Sequence, residues 1–198
     1  MSYEQAKALI HAGPSRPTLY SVNLGSKVSF LTNQYLKFFC SATAIPGVRT
    51  NTSIAAGQEY MGITREMPTA VIYSKPLTIT VIENANFSVY KDIRRWFDTV
   101  CENANQVGAR RSQRMNYYNT YTADITLTKL EQSSLRSEAF GFFPGDTNYK
   151  PVLDVNFINA YPTDIGAITL NSAGVNEYTT FDVSFTYESY SLNNTPII

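Results

Sequence analysis

Glu177-Tyr178-Thr179-Thr180-Phe181-Asp182-Val183-Ser184-Phe185-Thr186-Tyr187 alternates without a break: Phe181, Val183, Phe185 and Tyr187 fall on one side, and Thr180, Asp182, Ser184, Thr186 and Glu188 on the other. Successive side chains of a strand point to opposite faces, so this segment packs one face and wets the other. A short spacer upstream, Phe157-Ile158-Asn159-Ala160-Tyr161-Pro162-Thr163-Asp164-Ile165-Gly166 reads as a strand running into a sharp corner. A domain whose clearest signals are two such strands is built mainly from β-sheet.

Working outward, the same alternation recurs from Tyr118, with Tyr121, Ala123, Ile125 and Leu127 facing one way and Thr120, Thr122, Asp124, Thr126 and Thr128 the other. Further strands are expected over Thr18–Leu24, Leu36–Ala42, Glu59–Thr64, Val71–Tyr73, Leu77–Ile82, Val152–Ala160 and Ala167–Leu170, punctuated by Pro46-Gly47, Pro68 and Pro76. One long helix follows Asn84 or Asn86 as N-cap, because Val89, Ile93, Trp96, Phe97 and Val100 recur at spacings of three and four. Trp96 is expected as a core anchor, with Arg94, Arg95, Asp98 and Glu102 on the solvent side. Ser2 and Gln5 form a capping box for a short N-terminal helix ended by Gly13-Pro14. The expected fold class is mainly β (α+β), an antiparallel β-sandwich or barrel with one packed α-helix. It forms a single domain over 1–198, with 131–150 as an inserted loop longer than a hairpin needs.

Composition narrows the function. Hydrophobic residues make up 43% of the 198 and charged ones only 16%, with 14 Tyr and 11 Phe. Sixteen basic residues balance sixteen acidic ones, so there is no net electrostatic drive toward nucleic acid or an anionic membrane, and zero net charge favours association. The cysteines, Cys40 and Cys101, are too few for a disulfide framework and read as buried thiols. No membrane-length apolar run and no signal-peptide order is visible, which points to synthesis in the cytosol without a membrane anchor.

Nothing assembles into an active site. The single histidine, His11, excludes a histidine-based triad and a multi-histidine metal centre, and no phosphate-binding or dinucleotide fingerprint is present. No catalytic, cofactor-binding or metal-ligating residue is therefore assigned, and no cofactor. Arg110, Arg111 and Arg114 form the one basic cluster, read as a solvated loop or a contact with acidic residues of a neighbouring subunit.

The motif Tyr161-Pro162-Thr163-x-Ile165-Gly166-x-Ile168-x-Leu170, followed by Glu177-Tyr178-x-Thr180-Phe181-x-Val183-x-Phe185-x-Tyr187, resembles the C-terminal half of the tail tube proteins of contractile-tailed bacteriophages. Arg16-Pro17-Thr18-Leu19-Tyr20, then Phe38-Phe39-Cys40 through Pro46-Gly47, then Leu77–Ile82 leading into Phe87–Val100, carry the resemblance in the family's order. Glu131–Lys150 and the stretch from Thr50 to Ala70 look like additions to the family's compact form. The resemblance implies a virion protein, assembled in the host cytoplasm, whose hexameric rings stack into the inner tail tube. It also implies sheath, baseplate, tail terminator and tape measure proteins as partners, and DNA passing through the lumen. Thr122, Asp124, Thr126, Asp182, Ser184 and Thr186 are the candidate lumen residues, since a hydroxyl-rich, mildly acidic wall does not hold phosphate. A merely solvated outer face is the alternative for these strands. Phe140, Phe142, Phe143, Arg110 and Arg111 are candidate inter-subunit contacts. Other readings are a baseplate-proximal tube initiator or adaptor, the tube of a non-phage contractile injection system, and a carbohydrate-binding β-sandwich.

Overall fold

A computed structural model describes residues 15, 17–54, 66–102, 114–132, 149–170 and 178–194. Its elements are β1 (Tyr20–Asn23), α1 (Phe30–Phe39), β2 (Cys40–Thr43), β3 (Val48–Ile54), β4 (Glu66–Tyr73), β5 (Leu77–Ile82) and α2 (Ser88–Val100). There follow β6 (Cys101–Glu102), β7 (Arg114–Met115), the one-turn helix α3 (Tyr118–Tyr121), β8 (Ala123–Gln132), β9 (Tyr149–Ile165), β10 (Thr180–Thr186) and β11 (Ser189–Asn194).

Strand β9 serves two sheets. Its first part pairs with β8 on one side and β11 on the other, and β1 extends that sheet beyond β8. Its last residues pair with β10, which continues through β5 to β2. Both layers are antiparallel throughout and meet in one core. Val22, Ile125, Leu127, Val155 and Phe157 come from the first sheet, and Leu77, Ile79, Val81, Phe181, Val183 and Phe185 from the second. The alternation read from the sequence is the alternation seen: Phe181, Val183 and Phe185 are buried, while Asp182 between them is exposed.

Helix α2 closes the core from the side of the second sheet. Its buried stripe is Val89, Ile93 and Trp96. Tyr90 meets Phe181 edge-on at 5.7 Å, and Trp96 lies 5.5 Å from Phe185 while its indole N–H donates to the Tyr121 carbonyl at 2.6 Å. A helix start leaves several N–H groups without partners. Here Asn84 Oδ1 accepts from Ser88 N at 3.1 Å, and the buried Glu83 carboxylate accepts from Tyr90 N at 2.8 Å and Val89 N at 3.3 Å. The N-cap expected at Asn84 or Asn86 is instead Phe87, in a left-handed conformation at φ 52°, and Asn84 serves the helix start from three residues upstream.

Several expectations are corrected. Residues 36–39 belong to helix α1, not to a strand, so α2 is joined by a second helix of substantial length. Ser29 caps α1 by accepting from Thr32 N at 3.2 Å, and Thr32 and Leu36 supply its buried side. The outward side carries Phe30, Leu31 and Phe38 beside Gln34 and the exposed Lys37, so large apolar groups break up the usual polar stripe of a surface helix and Phe38-Phe39-Cys40 mimics the start of a strand. Val71–Tyr73 is the end of a longer strand in a separate β3–β4 ribbon. Residues 167–170 are not strand, β8 begins only after the α3 turn, and the last strand breaks at Tyr187-Glu188 so that β11 can change sheets. The ends of the expected 131–150 loop continue the β8–β9 ladder as far as Gln132 opposite Tyr149. The expected N-terminal helix and the Glu59–Thr64 strand lie outside the described residues.

Asp92 ties α1 to α2: it accepts from Thr32 Oγ1 at 2.6 Å and Ser29 N at 3.2 Å, and pairs with Arg95 at 3.0 Å. Burial pushes its carboxyl up, but the bonds from Thr32 and Ser29 and the charge of Arg95 outweigh it, leaving the group below its ordinary 3.8. A carboxyl depressed in the fold stabilises fully above its unfolded pKa and loses that contribution as pH falls through the folded value. Denaturant midpoints measured from pH 6 down to about pH 2 should therefore fall less steeply below about pH 4 in Asp92→Asn than in the parent chain.

Candidate functional site

With no net charge to attract a ligand, the features able to do work are the outward sheet faces and the unpaired sheet edges. On the β9-β10-β5-β2 sheet the register places Asp182 opposite Thr80, and Ser184 opposite both Thr78 and Asp164. Thr80 Oγ1 donates to Asp182 Oδ1 at 2.6 Å, the Thr78 and Ser184 hydroxyls lie 3.4 Å apart, and Thr163 Oγ1 donates to the Ser184 carbonyl at 3.1 Å. This surface is a mesh of short hydroxyls and two carboxylates. No Lys or Arg lies in residues 40–43, 77–82, 161–165 or 180–186, the strand segments that build it.

The face of the other sheet is also polar, with Asn23 and Asn156 flanking Thr126, whose hydroxyl donates to Asn156 Oδ1 at 3.0 Å. Lys129, later on β8, has the parity of the buried Ile125 and Leu127 and pairs with Tyr20 and Leu153. It therefore belongs to the inner side at the end of that sheet, where its amine bridges the Leu19 and Leu130 carbonyls and the Glu131 carboxylate.

The candidate lumen residues thus divide between the two sheets. Asp182, Ser184 and Thr186 lie on β10, while Asp124 and Thr126 lie on β8; each sheet turns its other face to the common core, so the two groups look out from different sides of it. Thr122 precedes β8 and its hydroxyl donates back to the Tyr118 carbonyl at 3.0 Å. Asp124 holds a corner of the backbone. Its Oδ1 accepts from Asn159 N at 3.0 Å where the β8–β9 register shifts, and Asn159, at φ 54°, donates through its side chain to Glu188 at 2.7 Å. Alternation alone cannot reveal such a corner, although an asparagine within a strand pattern tolerates the left-handed conformation better than its neighbours. Phe140, Phe142, Phe143, Arg110 and Arg111 lie outside the described residues.

The β3–β4 ribbon stands clear of the core, with every residue of β3 exposed. Its base is held by tyrosines: Tyr190 donates to the Pro46 carbonyl at 3.0 Å, Tyr187 donates to the Ser74 carbonyl, and Tyr73 packs edge-on against Tyr190 at 5.1 Å. Cys40 and Cys101, expected to be buried, are both only half-buried. Burial pushes Cys40 up to about 11, and Tyr20, which donates to the Cys40 carbonyl at 2.9 Å, is itself pushed up to about 12 by burial. Among the described residues no His, Cys, Asp and Glu gather into a metal-holding group, and no helix is long and apolar enough to cross a membrane.

The family model for phage tail tube proteins matches residues 15–193. Among solved structures, the chain is similar to one in the cryo-EM structure of the anti-feeding prophage baseplate, with a TM-score of 0.57 at 11% identity, covering 91% of this chain and 96% of that one. A chain in the sheath/tube terminator of an extracellular contractile injection system in its extended state gives a TM-score of 0.56 at 13% identity, with the same coverage of 91% and 96%. A chain in the extended sheath-tube complex of such a system gives 0.54 at 12% identity, covering 98% and 99%. No curated protein matches.

The Asn159 corner makes a direct prediction. Asp124→Ala removes the acceptor for the Asn159 N–H and should lower unfolding free energy by about 1 kcal/mol, whereas Asp124→Asn, which keeps an amide oxygen there, should recover most of it. Urea denaturation of the two variants side by side measures the difference.

Proposed function

The chain belongs to the phage tail tube protein family, and from that premise we propose that it forms the inner tube of a contractile tail by stacking hexameric rings, with DNA passing through the bore. Its role is structural, not catalytic. Sixfold symmetry, a sheath around the tube and a terminator at its end are features of the assemblies that contain the solved relatives. Sheath, baseplate, terminator and tape measure proteins are the partners this reading brings to the chain.

The bore is lined by the β9-β10-β5-β2 face. The observation that carries this assignment is the absence of Lys and Arg from its strand segments. A basic wall would release counterions on meeting phosphate and hold the DNA, with an affinity that grows for each phosphate neutralised. Helix α2 supports the same orientation. It packs on the inner face of β10 through Tyr90 and Trp96, so Arg95 and Lys91, both exposed, point away from the bore toward the tube's outside. Asp124 and Thr126 then belong to the other flank of the subunit.

The sheet also suits ring closure. Four antiparallel strands give two outer strands, β2 and the end of β9, that run in opposite directions. A copy rotated about the tube axis therefore sets its β9 antiparallel to β2 of its neighbour, and closure leaves no free edge.

A tube initiator at the baseplate is the second reading, favoured by the similarity to a baseplate chain. Negative-stain microscopy of the purified protein separates the two: hollow tubes of stacked rings are expected, single rings that never extend would assign the initiator role, and monomers alone, even with a baseplate template added, would count against both. Within tubes, Asp164→Lys with Asp182→Lys should leave ring assembly near normal while slowing DNA ejection, most at low salt where phosphate attraction is least screened. Ejection at the parental rate across a salt series would remove this face from the bore.

A further inference from the structure

Helix α1 presents an apolar face to solvent. Phe30 is 74% exposed, Leu31 78% and Phe38 80%. The spacing of these three and Gln34, at i, i+1, i+4 and i+8, puts them on one side, opposite the buried Thr32 and Leu36. Three large apolar groups gathered on one helix face mark an interaction site.

The topology indicates what covers it. The last residue of α1 runs directly into β2, the open edge of the proposed bore sheet. At that end of the sheet Cys40 pairs with Val81, Val81 pairs with Phe181, and Gly166 N donates to the Asp182 carbonyl at 2.7 Å. The start of β2, the start of β10 and the end of β9 are therefore level with one another. Past that end, among the described residues, exposed apolar side chains lie on the segment leaving β9, where Leu170 is 79% exposed, and on the segment entering β10, where Tyr178 is 80% exposed.

We infer that the Phe30, Leu31 and Phe38 face of one copy packs against Leu170 and Tyr178 of the next copy around the ring, sealing one end of the seam where β2 meets β9. The inference rests on the tube reading above. The contact is head-to-tail, joining two different patches of the same chain, as ring closure requires.

The test uses the full chain with Phe30→Ser, Leu31→Ser and Phe38→Ser, which touch only exposed positions. Circular dichroism should match the parent, and the fraction in rings, from sedimentation velocity, should fall by roughly tenfold or more. Leu170→Ser with Tyr178→Ser should reproduce the loss. Independently, Phe38→Cys combined with Tyr178→Cys should give, on mild oxidation, a ladder of covalent oligomers that neither single variant gives. Normal rings from both serine variants with no ladder would overturn the inference while leaving the tube reading intact. Normal tubes that no longer recruit sheath would also overturn it and assign the face to the sheath. Absence of rings from the parent chain itself would remove the premise along with the inference.

Discussion

The structure depends on one strand being able to change sheets. Residues 149–165 form a single strand, yet their first part is flanked by β8 and β11 and their last by β10. A strand cannot turn that corner with uniform geometry, because its side chains would lose their alternate faces. The turn is made at Asn159, in a left-handed conformation, with Asp124 satisfying its backbone N–H and Glu188 receiving its side-chain amide. Once the corner is fixed, Phe157 and Phe185 can point into the same core from two sheets, and α2 has a floor to rest on.

Gly25 shows a similar constraint at smaller scale. It sits at φ 72°, and a Cβ there would come within 2.5 Å of the Asp124 carbonyl, so only glycine lets the turn after β1 lie against β8. Asn33 holds that turn from α1, accepting from Leu24 N at 2.9 Å and donating to the Gly25 carbonyl at 2.9 Å. The neighbourhood of Asp124 is thus fixed from two directions.

Where burial is one-sided, the sequence is a faithful guide. Phe181, Val183 and Phe185 alternate with Asp182 and Ser184 in the chain and in space, and of the expected helix stripe Val89, Ile93, Trp96, Phe97 and Val100 the first three are buried and the last two half-buried. The family motifs over residues 161–187 point to the same architecture. Periodicity fails where both sides of an element carry large apolar residues, as in α1, which also buries Leu36. Helix α1 buries Thr32 and exposes Phe30 and Phe38, so its pattern cannot be told from a strand by the usual signal. It also fails to separate the two polar faces, since Asp124 and Asp182 look alike among strand residues. Which sheet each belongs to is decided by long-range pairing, which no local window contains.

The tyrosine clamp under the β3–β4 ribbon has a mechanical meaning. The phenols of Tyr187 and Tyr190 grip carbonyls at residues 74 and 46, where the ribbon leaves the body, and the same two rings pack on the buried Phe157. The ribbon is therefore hinged on the core and not on a loose loop. A sideways load on its outer end acts as on a lever whose fulcrum is Phe157, so displacement is passed into the body of the subunit. A string of such levers around a cylinder would bend as one piece.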